Sequence, residues 1–600
     1  SFLRKVEHRL QIMFDLQTHT LPHDPDELAK LALRLGYAEN DRQTARERFM
    51  ADYCHRTALN RRILDHLLHN AFSDEVLAEP EVDLVLDPEP SPQQIAEVLS
   101  KYRFRDVQQA YQNLMALAEE KLRFLSTRRC RHFLAAIAPR LLQAIANTAD
   151  PDATLVSLCQ VSDSLGGKGV LWELFSFNPP SLHLYVEICA YSPYLSGMLT
   201  SNPGMIDSLM DSLVLDKLPA RQWLQESLSE LCRGAEDLDP ILHSFKNDQH
   251  LRIGVRDLLG KEDVELVIGA LSDVAETCLE QIAAREFKNL AEKFGCPTVA
   301  DGPRAGQPCE FIILGMGKLG GRELNYHSDL DVVFLYEADG NTVPPQFAPN
   351  VHSITNSHFF SQLGQRIIRA CGRVGPSGRL YEIDARLRPT GRSGALATSL
   401  AEFERYFRSG QAQLWERQAL CKARVVFGAE RIAREANEAI RRAIFCTRWQ
   451  PQQLEQIRQM RHRLEQTAAA AGDLKRGPGG IVDIEFLVQM LQLKYAADNP
   501  ALRTPNTLAG LAELYRAGHL TADDYDYFFY AYRLLRIIEG RLGLLNAPAR
   551  DRLPQDPTEL AKLAHLLRYA DADLLLDDFE SATRQIRQRF QRIFDAESTP

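Results

Sequence analysis

The chain has 600 residues, of which 45% are hydrophobic and 25% are charged, an ordinary globular composition with room for three or four domains. Its formal net charge of −10 argues against broad nucleic-acid binding, which needs a basic surface. No apolar run approaches the roughly 20 residues that a membrane span requires, and residues 1–21 lack the pattern of a signal peptide.

The eleven cysteines are scattered singly along the chain and form no Cys-x-x-Cys pair. This spacing is typical of reduced thiols in a cytoplasmic protein, and it favours neither a disulfide framework nor a zinc site. The first residue, a serine, stands inside a helical pattern. We therefore expect the chain to be a fragment of a longer polypeptide.

Apolar residues at helical spacing dominate most of the chain. Residues 1–76 are predicted to be helical, and residues 77–92, which are rich in Pro, Asp and Glu, are predicted to form a linker. A second helical region is predicted over residues 93–295. Short β-like runs are confined to residues 296–430, and residues 431–600 again have the pattern of a helical bundle. The predicted fold class is mainly α, with one α/β core flanked by helical bundles.

Two apolar runs within the predicted core, Phe311–Leu314 and Val332–Tyr336, have the composition of buried strands. The segment that joins them ends in an Asp-x-Asp pair, Asp329 and Asp331, in apolar surroundings. Side chains two apart on a strand project to the same face, so the two carboxylates are expected to lie side by side. Such a pair of hard oxygen ligands suits Mg²⁺.

The turn before the acidic pair is rich in glycine, which lets backbone N–H groups approach a polyphosphate. A helix that starts near Gly320 is expected to direct its positive end at the same anion. Lys318 is equally compatible with an exposed loop position, and Ser328 with a structural cap of the strand. The spacing matches neither a P-loop nor a dinucleotide-binding fingerprint. The predicted phosphate-binding residues are Gly315, Gly317, Lys318, Gly320, Gly321 and Ser328.

The alternating run Leu380–Pro389 predicts another strand, and this strand carries a third acid, Asp384. If the strand lies next to the acidic pair, the three carboxylates meet. The alternative is that Arg386 and Arg388 simply neutralise Asp384. A glycine-rich turn and acids at a metal site together indicate nucleotidyl transfer.

Three charged residues, Glu416, Lys422 and Arg424, stand in an apolar segment further along the chain. Charges in such surroundings need partners. Lys422 and Arg424 either contact phosphate or form an ion pair with Glu416, and we favour the ion pair.

Four segments carry distinctive motifs. They are Gly-x-Gly-Lys-Leu-Gly-Gly-x-Glu-Leu-x-x-x-Ser-Asp-Leu-Asp from Gly315, Tyr-Glu-Ile-Asp-Ala-Arg-Leu-Arg-Pro from Tyr381, Trp-Glu-Arg-Gln-Ala-Leu-x-Lys-Ala-Arg from Trp415, and Gly-Gly-Ile-Val-Asp-Ile-Glu-Phe from Gly479. Together they resemble the motifs of the glutamine synthetase adenylyltransferases, a family of DNA polymerase β-like nucleotidyltransferases, and the resemblance extends over nearly the whole chain. It implies a polymerase β-like mixed sheet for the core.

The resemblance implies a polypeptide with two catalytic units, a deadenylylase followed by an adenylyltransferase. Residues 1–76 would be the helical tail of the first unit, and the remainder would be the second unit. The implied reaction transfers AMP from ATP to a tyrosine hydroxyl of glutamine synthetase and releases pyrophosphate. Asp329 and Asp331 would hold Mg²⁺ or Mn²⁺, and Asp384 would complete the second metal site and help to remove the phenolic proton. The residues that would support this site are Arg386, Arg388, Lys422 and Arg424.

The implied partners are glutamine synthetase and the PII signal protein, with glutamine as an effector and residues 431–600 as a regulatory and docking bundle. Three alternatives remain open: phosphorolytic removal of AMP from adenylylated glutamine synthetase, uridylylation of PII, and a catalytically silent helical scaffold. Intact Asp329, Asp331 and Asp384 argue against the scaffold, because a silent protein has no use for three clustered acids.

Overall fold

The computed structural model describes most of the chain, which divides into two compact units, Ser1–Pro80 and Glu81–Pro600. Every helix in the described parts is too short or too polar to span a bilayer. The predicted boundary between residues 76 and 77 lies outside the described residues. The residues that the structure describes are 2–14, 20–22, 24–39, 43–57, 79–120, 126–206, 217–344, 352–375, 378–468, 472–546 and 550–598.

The first unit contains helices Phe2–Phe14 and Pro25–Arg34 and helical residues 45–57. Asp24 starts the second helix, because its carboxylate accepts the backbone N–H of Asp26 at 2.9 Å and a proline occupies the first helical position. Apolar side chains from the three segments form a small core. Its buried members are Val6, Leu10, Leu31, Ala32, Ala45 and Phe49.

The prediction of a linker over residues 77–92 is wrong for its central part, which forms the helix Pro80–Leu86. Leu84 and Val85 of this helix are buried, and Glu81 accepts a hydrogen bond from the Tyr102 hydroxyl at 2.7 Å. Proline and acidic residues are typical of linkers, but they are equally favoured in the first turn of a helix, where the missing N–H is harmless and the dipole attracts negative charge.

The region before the core is helical, as predicted. Four of its helices begin in the same way: Ser91, Asp150, Asn178 and Ser192 each precede a proline and accept the N–H of the residue three positions on. The helices are Pro92–Leu99, Val107–Ala118, Thr127–Ala146, Pro151–Ser164, Lys168–Phe177, Pro179–Tyr191, Pro193–Ser201, Arg221–Cys232, Asp239–Leu258 and Val264–Phe294, with short 3₁₀ helices at Ser100–Tyr102 and Pro203–Met205.

Within its described residues, the core contains nine strands and four α-helices. The strands, in chain order, are β1 (Cys296–Pro297), β2 (Phe311–Gly315), β3 (Leu330–Tyr336), β4 (Thr342–Val343), β5 (Val374–Gly375), β6 (Gly378–Arg379), β7 (Ile383–Asp384), β8 (Ala397–Ser399) and β9 (Arg424–Phe427). The helices are Gly317–Gly321, Asn356–Gly372, Leu400–Arg408 and Leu414–Leu420, and a 3₁₀ helix lies at Gly391–Ser393.

The main sheet has the order β7-β3-β2-β9. Strand β8 also pairs with β3, at residues 334–336, further along β3 than the pairing with β7. Strand β2 is antiparallel to β3 and β9, whereas β3 is parallel to β7 and β8. The sheet is therefore mixed, and the predicted class, mainly α with one α/β core, is confirmed. The strand predicted over Leu380–Pro389 is shorter than expected. The carboxylate of Asp384 accepts the N–H of Arg386 at 2.9 Å, a local turn that ends the pairing.

Apolar residues at helical spacing over residues 357–371 predict a helix. The helix Asn356–Gly372 forms there and packs on this sheet. Thr355 starts it by accepting the N–H of His358, and Phe359, Phe360, Leu363 and Ile367 are buried along one face. The rings of Phe360 and Phe311 of β2 stack with centroids 5.5 Å apart.

The C-terminal bundle covers the other face of the sheet. Buried residues of the sheet, including Leu314 and Val333, and of the bundle, including Ile484 and Leu535, form one continuous hydrophobic cluster. This contact sets the position of the bundle against the acid-bearing strands. The bundle helices are Glu430–Ile444, Pro451–Gln466, Ile481–Tyr495, Thr507–Arg516, Ala522–Leu545, Pro557–Leu566 and Ala572–Ala596, with a 3₁₀ helix at Pro500–Leu502.

Candidate active site

The three predicted acids meet at the edge of the main sheet. Asp329 precedes β3, Asp331 lies within it, and Asp384 ends the neighbouring parallel strand β7. The register pairs Asp331 directly with Asp384, and the Leu330 N–H donates to the Glu382 carbonyl at 2.8 Å. Paired residues of adjacent strands point to the same face, so the strand pairing carries Asp384 to the acidic pair, as predicted.

Burial and neighbouring carboxylates raise the pKa values of Asp331 and Asp329. Burial and the adjacent charge of Asp384 raise the pKa of Asp331 to about 6, with a smaller contribution from Asp329. Partial loss of hydration, together with the carboxylates of Glu382 and Asp384, also raises the pKa of Asp329. Carboxylates that lie close together repel one another when ionised, and a bound cation reduces this repulsion.

The acids line a cleft of about 550 Å³ between the core and the C-terminal bundle. One wall comes from the glycine-rich turn and the acid-bearing strands, and the other comes from the loop before helix Ile481–Tyr495 and from helix Ala522–Leu545. Its lining residues are Gly317, Lys318, Asn325, His327, Ser328, Asp329, Asp331, Asp384, Arg386, Lys422, Lys475, Arg476, Ile481, Glu485, Glu539, Gly543, Arg550 and Asp551.

The glycine-rich turn differs from the prediction. Its helix begins at Gly317 and ends at Gly321, so the expected helix start near Gly320 is wrong. Gly317 has φ +50°, and a Cβ there would lie 2.8 Å from Oδ2 of Asp331. Gly317 lines the cleft, whereas Gly315, Gly320 and Gly321 do not. Gly320 is needed for close backbone packing, because its Cβ would lie 1.8 Å from the Lys422 carbonyl oxygen.

Gly320→Ala is expected to prevent stable folding of the core, because the turn cannot move away from Lys422 without separating β9 from β2. Overpacking of this kind costs at least about 1–3 kcal/mol. Thermal unfolding measures the effect. The matched control is Gly372→Ala in the helix Asn356–Gly372, where a Cβ meets nothing within 4 Å and stability is expected to stay the same or rise slightly. An unchanged melting temperature for Gly320→Ala would contradict the packing argument.

Lys318 and Ser328 both line the cleft, but other residues engage their side chains. Lys318 is 19% exposed, and its ammonium group pairs with Glu539 of the C-terminal bundle. Burial lowers the pKa of Lys318, and Glu539 opposes this effect. The Ser328 hydroxyl accepts the N–H of Asn325 at 2.8 Å, which closes a tight turn before the acids.

Lys422 and Arg424 form structural ion pairs, but the predicted partner, Glu416, is wrong. The ammonium group of Lys422 lies 2.6 Å from Glu323 and 2.7 Å from Glu485. Burial alone would lower the pKa of Lys422, but these two carboxylates hold it above its ordinary value. Glu416 instead accepts the N–H of Gln413 at the start of its own helix. The prediction missed these partners because they come from distant segments.

Arg424 pairs with Glu276 and donates hydrogen bonds to the Leu319 and Gly320 carbonyls, each at 3.0 Å. These carbonyls end the short helix Gly317–Gly321, so Arg424 holds the glycine-rich turn in place. Arg424 does not line the cleft.

Arg386 and Arg388 have different roles. Arg386 binds the carboxylate of Asp384, with its Nε 2.9 Å from Oδ1. Arg388 donates to the Ala385 carbonyl at 2.6 Å and does not line the cleft. The alternative in which an arginine neutralises Asp384 therefore applies to Arg386.

The donor set of the acidic pair suits a divalent cation. Neither carboxylate, of Asp329 or of Asp331, accepts a hydrogen bond or forms an ion pair within the described parts of the chain. Two unpartnered carboxylates on one face are hard oxygen donors of the type that Mg²⁺ and Mn²⁺ take. Among the described residues, no group of three acidic, histidine or cysteine side chains is arranged to hold a metal ion, and Arg386 engages Asp384. The pair fits the metal, and the role of Asp384 as a third ligand stays a prediction.

Sequence reasoning missed the basic residues that the C-terminal bundle contributes to the cleft. Lys475 and Arg476 stand in the glycine-rich stretch Gly472–Gly480, and Arg550 follows helix Ala522–Leu545. Two adjacent cations inside a glycine-rich loop are a signal for anion binding that could have been used. Arg550 has no local signal.

Two family models match the chain. A model described as glutamate–ammonia ligase adenylyltransferase matches residues 182–439, which include the main sheet and all three acids. A model described as PII-uridylyltransferase matches residues 1–68 and 450–596.

The chain is also similar to proteins named bifunctional glutamine synthetase adenylyltransferase/adenylyl-removing enzyme. It is 33% identical to the protein from Thioalkalivibrio sulfidiphilus over 92% of this chain and 57% of the relative. It is 31% identical to the protein from Xanthobacter autotrophicus over 99% of this chain and 58% of the relative. It is 32% identical to the protein from Nitrosococcus oceani over 92% of this chain and 57% of the relative. The chain thus spans little more than half the length of these relatives. The acid-bearing core lies inside the matched segment, and the chain is similar to the glutamine synthetase adenylyltransferases over nearly its whole length.

Proposed function

We propose that this chain transfers AMP from ATP to a tyrosine hydroxyl of glutamine synthetase and releases pyrophosphate. One observation carries the proposal: Asp329, Asp331 and Asp384 meet in a single cleft beside the Gly317 turn. This cleft lies in the segment that matches the adenylyltransferase family model. The names of the similar proteins supply the acceptor, glutamine synthetase.

The acids would hold the metal and accept a proton, and the cleft wall would position the substrate. Asp329 and Asp331 would hold Mg²⁺ or Mn²⁺, which when bound neutralises phosphate charge and assists attack at the α-phosphorus. Asp384 would accept the phenolic proton of the acceptor tyrosine, with its carboxylate oriented by Arg386. The remaining contribution is positioning, because the Gly317 turn is held rigidly against Asp331.

The wider assignments belong to the same proposal. The same PII-uridylyltransferase model matches residues 1–68 and residues 450–596. This supports the division in which residues 1–76 are the helical tail of an upstream deadenylylase unit and residues 431–600 are a regulatory and docking bundle. The core at 296–430 would then act on glutamine synthetase in the cytoplasm, under control of PII and glutamine.

Labelled ATP tests the proposal directly. With ATP labelled at the α-phosphate, purified glutamine synthetase is expected to become labelled in proportion to the pyrophosphate released. ATP labelled at the γ-phosphate is the control and should leave the acceptor unlabelled, because that phosphate departs in pyrophosphate. Absence of α-label on glutamine synthetase would contradict the proposal.

Two alternatives each have an observation in their favour and an assay of their own. The relatives' names include adenylyl removal, so adenylylated glutamine synthetase is incubated with phosphate and ADP is measured. The match of residues 450–596 to the PII-uridylyltransferase model favours uridylylation, so PII is incubated with labelled UTP. A silent scaffold would bind these proteins and give no turnover in any of the three assays.

A further inference from the structure

The basic residues of the cleft differ in whether their charge is already used. Lys318 pairs with Glu539, and Lys422 pairs with Glu323 and Glu485. Among the arginines, Arg386 pairs with Asp384 and Arg550 pairs with Glu559. Arg476 donates a hydrogen bond to the neutral hydroxyl of Thr467 at 3.4 Å, which leaves its charge without a carboxylate partner among the described residues.

Lys475 is different from these residues. Its ammonium group forms no ion pair or hydrogen bond within the part of the chain that the structure describes. Recruiting Lys318 for an anion would break its pair with Glu539, a carboxylate that is 6% exposed and would keep Arg536 as its remaining partner. Lys475 carries no such penalty, so its charge is free for an anion that enters the cleft.

The backbone around Lys475 is firmly held. Asp473 Oδ1 accepts the N–H of Lys475 at 2.9 Å and that of Arg476 at 2.7 Å. The Lys475 carbonyl in turn accepts the N–H of Val482 at 3.1 Å, in the first turn of helix Ile481–Tyr495. Leu474 donates to the Asp551 carbonyl at 2.9 Å. The loop is therefore tied both to the following helix and to the cleft wall.

A buried ionic network supports this loop from behind. The fully buried Asp483 accepts the N–H of Gly479 at 2.8 Å and pairs with Arg461 and Arg587. Arg461, which is 1% exposed, also donates to the Gly477 carbonyl at 2.7 Å. A side chain that projects from a backbone fixed in this way loses less entropy when it binds a ligand.

Lys475 also acts electrostatically on the acids. Burial raises the pKa of Asp331 and of Asp329, and the charge of Lys475 opposes both shifts. Lys475 and the acidic pair line the same cleft. A polyphosphate bound beside the acids would meet Lys475 as a cation without a competing carboxylate.

We propose that Lys475, and not Lys318, supplies the side-chain charge that binds the β- and γ-phosphates of ATP. The inference rests on the proposed function in that it takes ATP as the ligand of this cleft. It moves the phosphate-binding role from the glycine-rich turn of the core to the loop of the C-terminal bundle, so that both domains must be in contact for tight nucleotide binding.

The test compares Lys475→Met with Lys475→Arg in the full chain. Binding of ATP, ADP and AMP in the presence of Mg²⁺ is measured by calorimetry. We expect Lys475→Met to weaken ATP binding about tenfold or more, the effect of losing a charge-assisted hydrogen bond. AMP, which lacks the β- and γ-phosphates, should lose less than about twofold. Lys475→Arg should retain most of the ATP affinity because it keeps the charge.

The control is Lys288→Met on the helix Val264–Phe294, where the lysine is 76% exposed, and nucleotide affinity should not change. Equal weakening of ATP and AMP by Lys475→Met, or unchanged ATP binding, would overturn the inference. The assay needs no glutamine synthetase, so a chain that binds ATP through Lys475 but labels no acceptor would contradict the proposed reaction alone. A wild-type chain that binds no ATP would overturn both.

Discussion

Asp331→Asn is expected to abolish AMP transfer while leaving the protein folded and more stable than the wild type. The side chain loses one metal-binding oxygen, and loss of that contact removes several kcal/mol of transition-state stabilisation, or about a thousandfold in rate. The measurement is the rate at which label from α-labelled ATP reaches glutamine synthetase. Thermal unfolding without added metal measures stability.

The gain in stability follows from the sign of the pKa shift. Burial and Asp384 raise the pKa of Asp331 from 3.8 to about 6, so the folded state holds its proton more tightly than the unfolded state does. The stabilising contribution of this proton is complete below about pH 4 and is lost as the pH rises through 6. At pH 7.5 the ionised carboxylate therefore costs up to about 3 kcal/mol, a cost that the uncharged amide of the Asp331→Asn variant would not incur. The difference in unfolding free energy between the wild type and Asp331→Asn should vanish as the pH falls to about 4.

Metal addition separates this explanation from a general structural effect. Mg²⁺ is expected to raise the melting temperature of the wild type at pH 7.5 and to have little effect on Asp331→Asn. Asp301→Asn, which changes an exposed acid outside the cleft, is the control and should respond to Mg²⁺ like the wild type. Retained AMP transfer, or an unchanged Mg²⁺ response in Asp331→Asn, would show that Asp331 does not hold the metal.

Lys422→Met is expected to be among the most destabilising single substitutions in the core. The lysine is 7% exposed and neutralises Glu323, which is fully buried, and Glu485, which is 17% exposed. Its removal leaves two carboxylates without their cation, and breaking a buried pair typically costs about 3–5 kcal/mol. Urea unfolding, monitored together with limited proteolysis, measures the loss and shows whether the core and the C-terminal bundle separate.

The matched control for this substitution is Lys494→Met. Lys494 also forms a lysine–glutamate pair, with Glu597 at 2.6 Å, but its side chain is 22% exposed and water can replace the partner. A loss below about 1 kcal/mol is expected there. If the two substitutions destabilised the protein equally, burial of the Lys422 cluster would not be the source of its effect.

Local periodicity was sufficient for the elements that carry the acids. Strands β2 and β3 and the helix Asn356–Gly372 lie where alternating and helical spacing predicted them. The shared face of Asp329 and Asp331 follows from the two-residue repeat of a strand alone. The predicted linker shows the limit of composition, because proline and acidic residues suit both a linker and the first turn of the helix Pro80–Leu86.

The sequence by itself predicted the acidic pair, the third acid and an α/β core between helical regions, because each depends on residues close together in the chain or on one strand pairing. Only the tertiary structure decided which cations are free. Lys318 meets Glu539 across 221 residues, and Lys422 meets Glu323 across 99 residues. A buried charge requires a partner, which the sequence can predict. The identity of that partner depends on how the bundle packs against the sheet. The same packing brings Lys475 to the cleft with its charge unused.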